Sequence, residues 1–302
     1  MKTFVGITGT TSVGKSAVAV RLAQLINSEI ISADSMQIYK GMDIGTAKIQ
    51  PEEMCGIKHH MIDIVEPDFD YSAYLYQHEA SGIIDRLNCT PIVVGGTGFY
   101  FDSLLYPPEF GNSSPERRAE LHKILENEGL PAIQDMLKNL DEQTYNEIDL
   151  SNPKRVIRAI EIAECGKPKS QGLGKKNPRY NMILFVLTRN RSDLYAQIDQ
   201  RVDNMIKQGL VDEVQFLVNK YGYCNTPAFS AIGYKEIVEY LQDKASLQEA
   251  IDKIKLNTRH YAKRQITYYK KMNVYEVIDV DGRTSAEGAS YIYGKLKNLR
   301  VL

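Results

Sequence analysis

Residues 9–16 read Gly-Thr-Thr-Ser-Val-Gly-Lys-Ser, the G-x-x-x-x-G-K-[ST] pattern of a phosphate-cradling P-loop. The segment before it, Thr3 to Thr8, predicts a short buried strand. The segment after it, Ala17 to Asn27, places Val18, Leu22, Leu25 and Ile26 on one helical face. The glycines therefore fall between a strand and a helix, which argues against a chance glycine-rich turn. At such a helix start, backbone N–H groups and the helix dipole favour anionic oxygen. Gly9 and Gly14 allow close backbone approach and positive φ. Lys15 can neutralise a terminal phosphate, and the Ser16 hydroxyl can ligate Mg²⁺.

The chain has 302 residues, enough for a large core or for a core plus an inserted lobe. It is 43% hydrophobic and 25% charged, with a net charge of −1, so any nucleic-acid site must be a local basic patch. Cys55, Cys89, Cys165 and Cys224 form no C-x-x-C pair and have no histidine at zinc-ligand spacing, which favours free thiols over structural zinc. With no signal-peptide pattern and no apolar run of membrane-spanning length, a cytoplasmic protein is expected.

The first hundred residues alternate strand and helix patterns. After the P-loop helix, strands are expected at Glu29–Ser32, Met61–Val65 and Pro91–Val94, with a helix from Ser72 to Leu87 as a parallel crossover. Residues 107–112 read as a loop, and Ser114-Pro115 as a helix start with Ser as N-cap. Helical patterns follow at Glu116–Glu128, Ala132–Leu140 and Lys154–Cys165, the last stopping at Gly166. A basic connector, residues 167–179, leads to a strand at Tyr180–Leu187. Residues 191–272 are helical in pattern, and Val274–Val280 suggests a last strand. The expected fold is α/β: a P-loop NTPase-like parallel sheet flanked by helices (1–106 and 178–302), with a small helical lobe inserted at 107–177.

P-loop kinases and ATPases commonly hold Mg²⁺ with a second acidic residue at the end of a hydrophobic strand. Here the best strand ends in Gly95-Gly96-Thr97-Gly98. Asp63 lies in another apolar run. Asp34 is better placed, just past the second strand, where the carboxyl end of a parallel strand faces the P-loop crevice. A carboxylate there suits proton abstraction, although a loop or N-cap aspartate fits the position equally.

With these residues in view, the chain resembles the bacterial tRNA dimethylallyltransferases, also called tRNA isopentenyltransferases. The likeness rests on Gly9–Ser16, Ile31–Lys48 and Val94–Tyr100. It continues through Asn152–Glu161, Arg201–Glu213, Ala231–Tyr234 and Thr258–Thr267, and so spans nearly the whole chain. The resemblance implies transfer of a dimethylallyl group from dimethylallyl diphosphate to N6 of the adenosine immediately 3′ of a tRNA anticodon. It also implies Mg²⁺ as cofactor. The partners implied are the tRNA anticodon stem-loop and the allylic diphosphate, not a membrane, and a monomer is expected. The loop would then hold a diphosphate through Gly9, Thr10, Thr11, Ser12, Val13, Gly14, Lys15 and Ser16, with Ser16 also the metal ligand.

By the same resemblance Asp34 is the general base, Lys15 and Arg201 meet the leaving group, and Thr97 lies near the reacting atoms. Taken alone, Arg201 reads as a surface helix arginine and Thr97 as a helix N-cap. The implied tRNA contacts are Asp34, Ser35, Met36, Gln37, Thr97, Arg118, Lys154, Arg155, Val156, Ile157 and Arg158. Within 154–160 the apolar positions would hold the lobe together while the basic ones face outward. The stretch from Arg259 to Lys271 adds Arg259, Lys263 and Arg264, where interleaved cations and aromatics suit RNA; an amphipathic helix packed on the core is the alternative. The chain departs from the family at Thr10, where a proline is usual, at Ser16 for threonine and at Tyr268 for tryptophan. A small-molecule P-loop kinase and a non-catalytic RNA-binding protein are the rival readings.

Overall fold

The computed structural model describes residues 1–106, 115–165, 178–224 and 226–302. The expected loop at 107–112, the Ser114 cap, the Gly166 stop and most of the basic connector lie outside the described residues. The chain divides into two compact units, Met1–Leu105 with Arg179–Leu302, and Tyr106–Pro178.

In the larger unit the elements run β1 (Thr3–Gly9), α1 (Lys15–Ile26), β2 (Ile30–Ser32), β3 (His59–His60), α2 (Ala73–Arg86), β4 (Ile92–Val94) and α3 (Gly98–Leu105). The smaller unit holds α4 (Pro115–Glu128), α5 (Leu130–Leu140), α6 (Glu142–Glu147) and α7 (Pro153–Glu164). The chain then returns through β5 (Asn181–Thr188), α8 (Arg191–Lys207), α9 (Leu210–Tyr221), α10 (Tyr234–Leu241), α11 (Leu247–Tyr269), β6 (Glu276–Asp279) and α12 (Ser285–Asn298).

The strands form one parallel sheet in the order β3-β2-β4-β1-β5-β6. Period-two alternation splits the core between its faces. Ile7, Ile30, Ile92 and Phe185 meet α1 and α12 through Leu22, Ala23, Ile292 and Leu296. Phe4, Ile31, Val93 and Leu184 belong to the other face, with Tyr76 of α2, Phe101 of α3 and buried residues of α9 to α11. Because β1 sits between β4 and β5, the carboxyl ends of β1, β2 and β4 bring residues 9–16, 33–37 and 95–97 to one edge. That edge is where open α/β sheets bind ligands.

Three expectations are corrected. The strand placed at Met61–Val65 is instead the two-residue β3 at His59–His60; Met61 and Asp63 take φ of 62° and 54°, which breaks extended pairing. Lys48 accounts for that kink: its ammonium, on a residue only 5% exposed, pairs with both Asp63 and Asp43. Leu25 is 47% exposed rather than packed with Val18 and Leu22, so the buried stripe of α1 runs through Ala19 and Ala23. The helical run 191–272 is interrupted between Tyr221 and Tyr234. Among the described residues no helix is long and apolar enough to cross a membrane.

The smaller unit is built on Leu121, Ile133, Leu137, Val156, Ile157 and Ile160, all buried. Asn152 caps α7, accepting from the amides of Lys154 and Arg155, with Pro153 at the first helical position.

Candidate active site

Gly9 and Gly14 adopt φ of 150° and 92°, as the loop pattern requires. α1 starts at Lys15 with no side-chain cap and no acid in its first turn, so its leading N–H groups suit an anion. Lys15 Nζ donates to the Thr10 carbonyl at 2.8 Å. Burial lowers its pKa to about 8, Asp34 opposes that shift, and Arg201 adds to it. Lys15, Asp34 and Arg201 are therefore within electrostatic reach of one another. Burial also lowers Arg201, again against Asp34, so Arg201 is not the surface arginine its sequence position suggests.

Asp34 stands where two cavities meet. One, of about 460 Å³, is lined by Gly14, Lys15, Ser16, Gln37, Gly96 and Gln265 among others. The second, of about 320 Å³, is mainly apolar, with Met36, Val202, Met205, Ile232 and Ile254 in its wall. Thr11, Asp34, Arg201 and Tyr261 line both. Asp34 Oδ1 also accepts from the Met36 amide at 2.9 Å, so the loop aspartate and the cavity carboxylate are the same group.

Thr97 stands directly before α3, beside the turn that carries Asp34 and against Tyr261 of the cavity wall. Its hydroxyl accepts from the Ser35 amide at 3.1 Å and donates to Ser35 Oγ at 3.3 Å, so it holds the turn that carries Asp34. Gly95 makes this approach feasible, because a Cβ there would lie 2.1 Å from the Ala33 carbonyl oxygen.

Sequence reasoning missed the inward face of α11. Gln265 Oε1 accepts from the Thr11 amide and Nε2 donates to the Gly96 carbonyl, both at 2.9 Å. The Tyr269 hydroxyl lies 2.9 Å from the Gly9 carbonyl and 3.0 Å from that of Gly96. Tyr261, its pKa pushed up to about 12 by burial and by Asp34, stays a neutral donor in the cavity wall. The readable signal was the spacing of four that puts 261, 265 and 269 on one stripe. Gln265→Ala removes the tie between phosphate loop and Gly96 turn. A roughly thirtyfold loss of kcat/KM for the phosphorylated substrate is expected, from two hydrogen bonds worth about 1 kcal/mol each. Steady-state kinetics check it, and an unchanged ratio would mean that the loop holds its own shape.

The outward face of α11 carries His260, Lys263, Arg264 and Thr267 along a groove that Lys271, past the helix end, also lines, and Arg264 also lines the apolar cavity. One face of this helix packs on the core and the other is basic. Arg259 is not part of the basic face, since its guanidinium is paired with Asp199 and lies over the Tyr195 ring.

In the smaller unit Lys154 and Arg155 are exposed, Arg155 in a 3.0 Å surface pair with Asp149. Arg118 and Arg158 both bind the buried carboxylate of Glu161, at 2.7 and 2.8 Å. Val156 and Ile157, placed by resemblance among tRNA contacts, are 0% and 3% exposed; their side chains serve the core of this unit instead.

For a metal ion the described residues offer no cluster of three or more His, Cys, Asp or Glu. Ser16, exposed beside Lys15 in the cavity wall, fits Mg²⁺, which is usually held by few protein oxygens together with water and substrate phosphate. Asp63 is engaged by Lys48 and does not line this cavity, so the second acid of a kinase is not supplied there.

Fold and site define a P-loop α/β protein whose phosphate loop opens onto a carboxylate at the mouth of an apolar cavity. Comparison with known proteins gives the family. Residues 37–272 match the family model described as IPP transferase, and residues 2–65 that described as isopentenyl transferase. The chain is 45% identical to the tRNA dimethylallyltransferase of Caldanaerobacter subterraneus subsp. tengcongensis, covering 96% of this chain and 98% of that protein. It is 44% identical to that of Clostridioides difficile, with 91% of each covered. Among solved structures, the tRNA isopentenylpyrophosphate transferase of Bacillus halodurans superposes with a TM-score of 0.73 at 37% identity, over 99% of this chain and 98% of that one. A eukaryotic dimethylallyltransferase acting on tRNA gives 0.86 at 29% identity, over 99% of this chain and 80% of that one. The chain belongs to the IPP transferase family.

Proposed function

We propose that this protein transfers a dimethylallyl group from dimethylallyl diphosphate to N6 of the adenosine 3′ of a tRNA anticodon, giving N6-isopentenyladenosine and pyrophosphate. The observation that carries the reading is Asp34, at the junction of a cavity lined by the P-loop and an apolar one. In the proposed step the N6 lone pair forms a bond to the allylic carbon as the carbon–oxygen bond to diphosphate breaks. The N6 proton passes to Asp34. Charge gathering on the leaving group meets Lys15, Arg201 and the loop amides. Mg²⁺ held with Ser16 would add neutralising charge. Thr97 and Ser35 keep the Asp34 turn in place, Gln37 offers a base edge both a donor and an acceptor, and the extruded adenine enters the mouth of the cavity.

The tRNA is held, on this reading, by Lys263 and Arg264 of α11, by Lys154 and Arg155, and by the Glu161-oriented pair Arg118 and Arg158. The enzyme works as a monomer in the cytoplasm. Lys154→Ala combined with Arg155→Ala is expected to weaken tRNA binding and to lower the slope of log affinity against log salt by about 1.4 to 1.8, two contacts' worth. Filter binding across a salt series checks this; an unaltered slope removes α7 from the RNA interface. The activity itself is tested by nucleoside mass spectrometry of unmodified tRNA incubated with the protein, Mg²⁺ and dimethylallyl diphosphate. A donor-dependent isopentenyl mass on adenosine is expected. Its absence with several folded tRNAs would overturn the reading and send the search to ATP and small acceptors.

A further inference from the structure

The turn Asp43-Ile44-Gly45 belongs to no helix or strand, yet its amides converge on one side chain. Glu213, in the first turn of α9, accepts from Asp43 N at 3.0 Å and Ile44 N at 2.7 Å through Oε2. Through Oε1 it accepts from Gly45 N at 3.1 Å and from the Tyr234 hydroxyl at 2.6 Å. Four donors fill the acceptor positions of a carboxylate. A carboxamide of the same shape cannot replace it, because its NH₂ would face N–H donors.

The surroundings leave the turn little freedom. Tyr234 is fully buried, and a Cβ on Gly45 would lie 2.5 Å from its ring. On the far side Lys48 Nζ donates to Asp43 at 2.6 Å and to the Tyr39 carbonyl at 2.8 Å. The next residue in the chain is Thr46, whose carbonyl accepts from Arg201 Nη2 at 3.2 Å. Gln37 Nε2 lies 3.5 Å from the same oxygen. A path of hydrogen bonds and intervening backbone thus runs from Glu213, through the turn, to the arginine beside Asp34.

We propose that Glu213 is a positioning residue for prenyl transfer: it gathers the 43–45 amides and so fixes the Thr46 carbonyl that holds Arg201 toward the reacting groups. This rests on the function proposed above, in which Arg201 meets the leaving diphosphate. Glu213 itself lines neither cavity. Its effect should therefore appear in turnover and vanish when Arg201 is absent, which a general structural role would not do.

The test is a double-mutant cycle on the full chain, with tRNA and dimethylallyl diphosphate, read as kcat and the two KM values. Glu213→Gln is expected to lower kcat about tenfold to a hundredfold, the effect of misplacing a reactive group, with KM for tRNA changed less than about threefold. Arg201→Ala is expected to lower kcat about a hundredfold or more. The two together should be no slower than Arg201→Ala within about threefold. Losses that multiply would overturn the inference and leave the site reading intact. Wild-type turnover by Arg201→Ala would instead overturn the placement of Arg201, and the inference with it. Should Glu213→Gln fail to fold, Tyr234→Phe carries the same cycle: it removes one of the four donors and is expected to cost about twofold to fivefold, again only when Arg201 is present.

Discussion

Asp34→Asn is expected to slow prenyl transfer about a thousandfold while tRNA affinity changes less than about threefold, because a positioned general base contributes about 10² to 10⁴. The substitution separates the role of Asp34 in its turn from its proposed role as a base. Asparagine Oδ1 can still accept from the Met36 amide, so the turn that presents Ser35, Met36 and Gln37 keeps its bond. What is lost is the ability to take a proton from N6. Single-turnover rates with saturating tRNA, set beside binding curves, give both quantities. Turnover within about fivefold of wild type would leave Asp34 as a turn residue only. A second signature follows from its charge. Asp34 supports the protonated form of Lys15, so the alkaline limb of the variant's residual kcat/KM should move to lower pH.

Lys15 sets the second large effect. Lys15→Ala removes a fixed cation from the leaving group and is expected to cost about a hundredfold to a thousandfold in kcat/KM for the allylic diphosphate. In the native enzyme the ammonium is lowered to about 8, chiefly by burial. The kcat/KM for the donor should thus fall as pH rises through about 8, since that ratio reports the free enzyme. The kcat limb should lie at higher pH, because bound diphosphate favours the charged amine. Stability runs the other way. With the folded value below the unfolded 10.5, the unfolded chain holds more protons between about 8 and 10.5, and stability from this group rises with pH across that window. A kcat/KM for the donor that is level from pH 7 to 10 would remove Lys15 from donor binding.

Much of the phosphate-loop side of the cavity was legible because it is local. The phosphate loop, its strand and its helix lie within 24 consecutive residues from Thr3 to Ile26, and the motif carries its own geometry. Asp34 was legible through sheet register, as a residue just beyond a parallel strand. The parts that were not legible depend on partners far away in sequence. The apolar run 61–65 looked like a strand, but its backbone is turned where Lys48 recruits Asp63. Gln265 lay among basic residues that drew attention to the opposite face of α11. Glu213 has no local signature, since its role depends on a turn about 170 residues earlier. α12 did have a signal that was passed over: Thr284 and Glu287 form a reciprocal capping box three residues apart.

The bolting of the phosphate loop by α11 has a consequence for the protein's birth. Thr11 and Gln265 are 254 residues apart, and Tyr269 is still later. At about 5 to 20 residues per second, roughly ten to fifty seconds of synthesis separate the loop from its partner on α11. β1 waits too, since its neighbour β5 begins only at Asn181. A growing chain therefore leaves one edge of β1 unpaired until β5 is made, and leaves the phosphate loop without its α11 partners for longer still. The motif is made early, but its full set of contacts arrives only with α11.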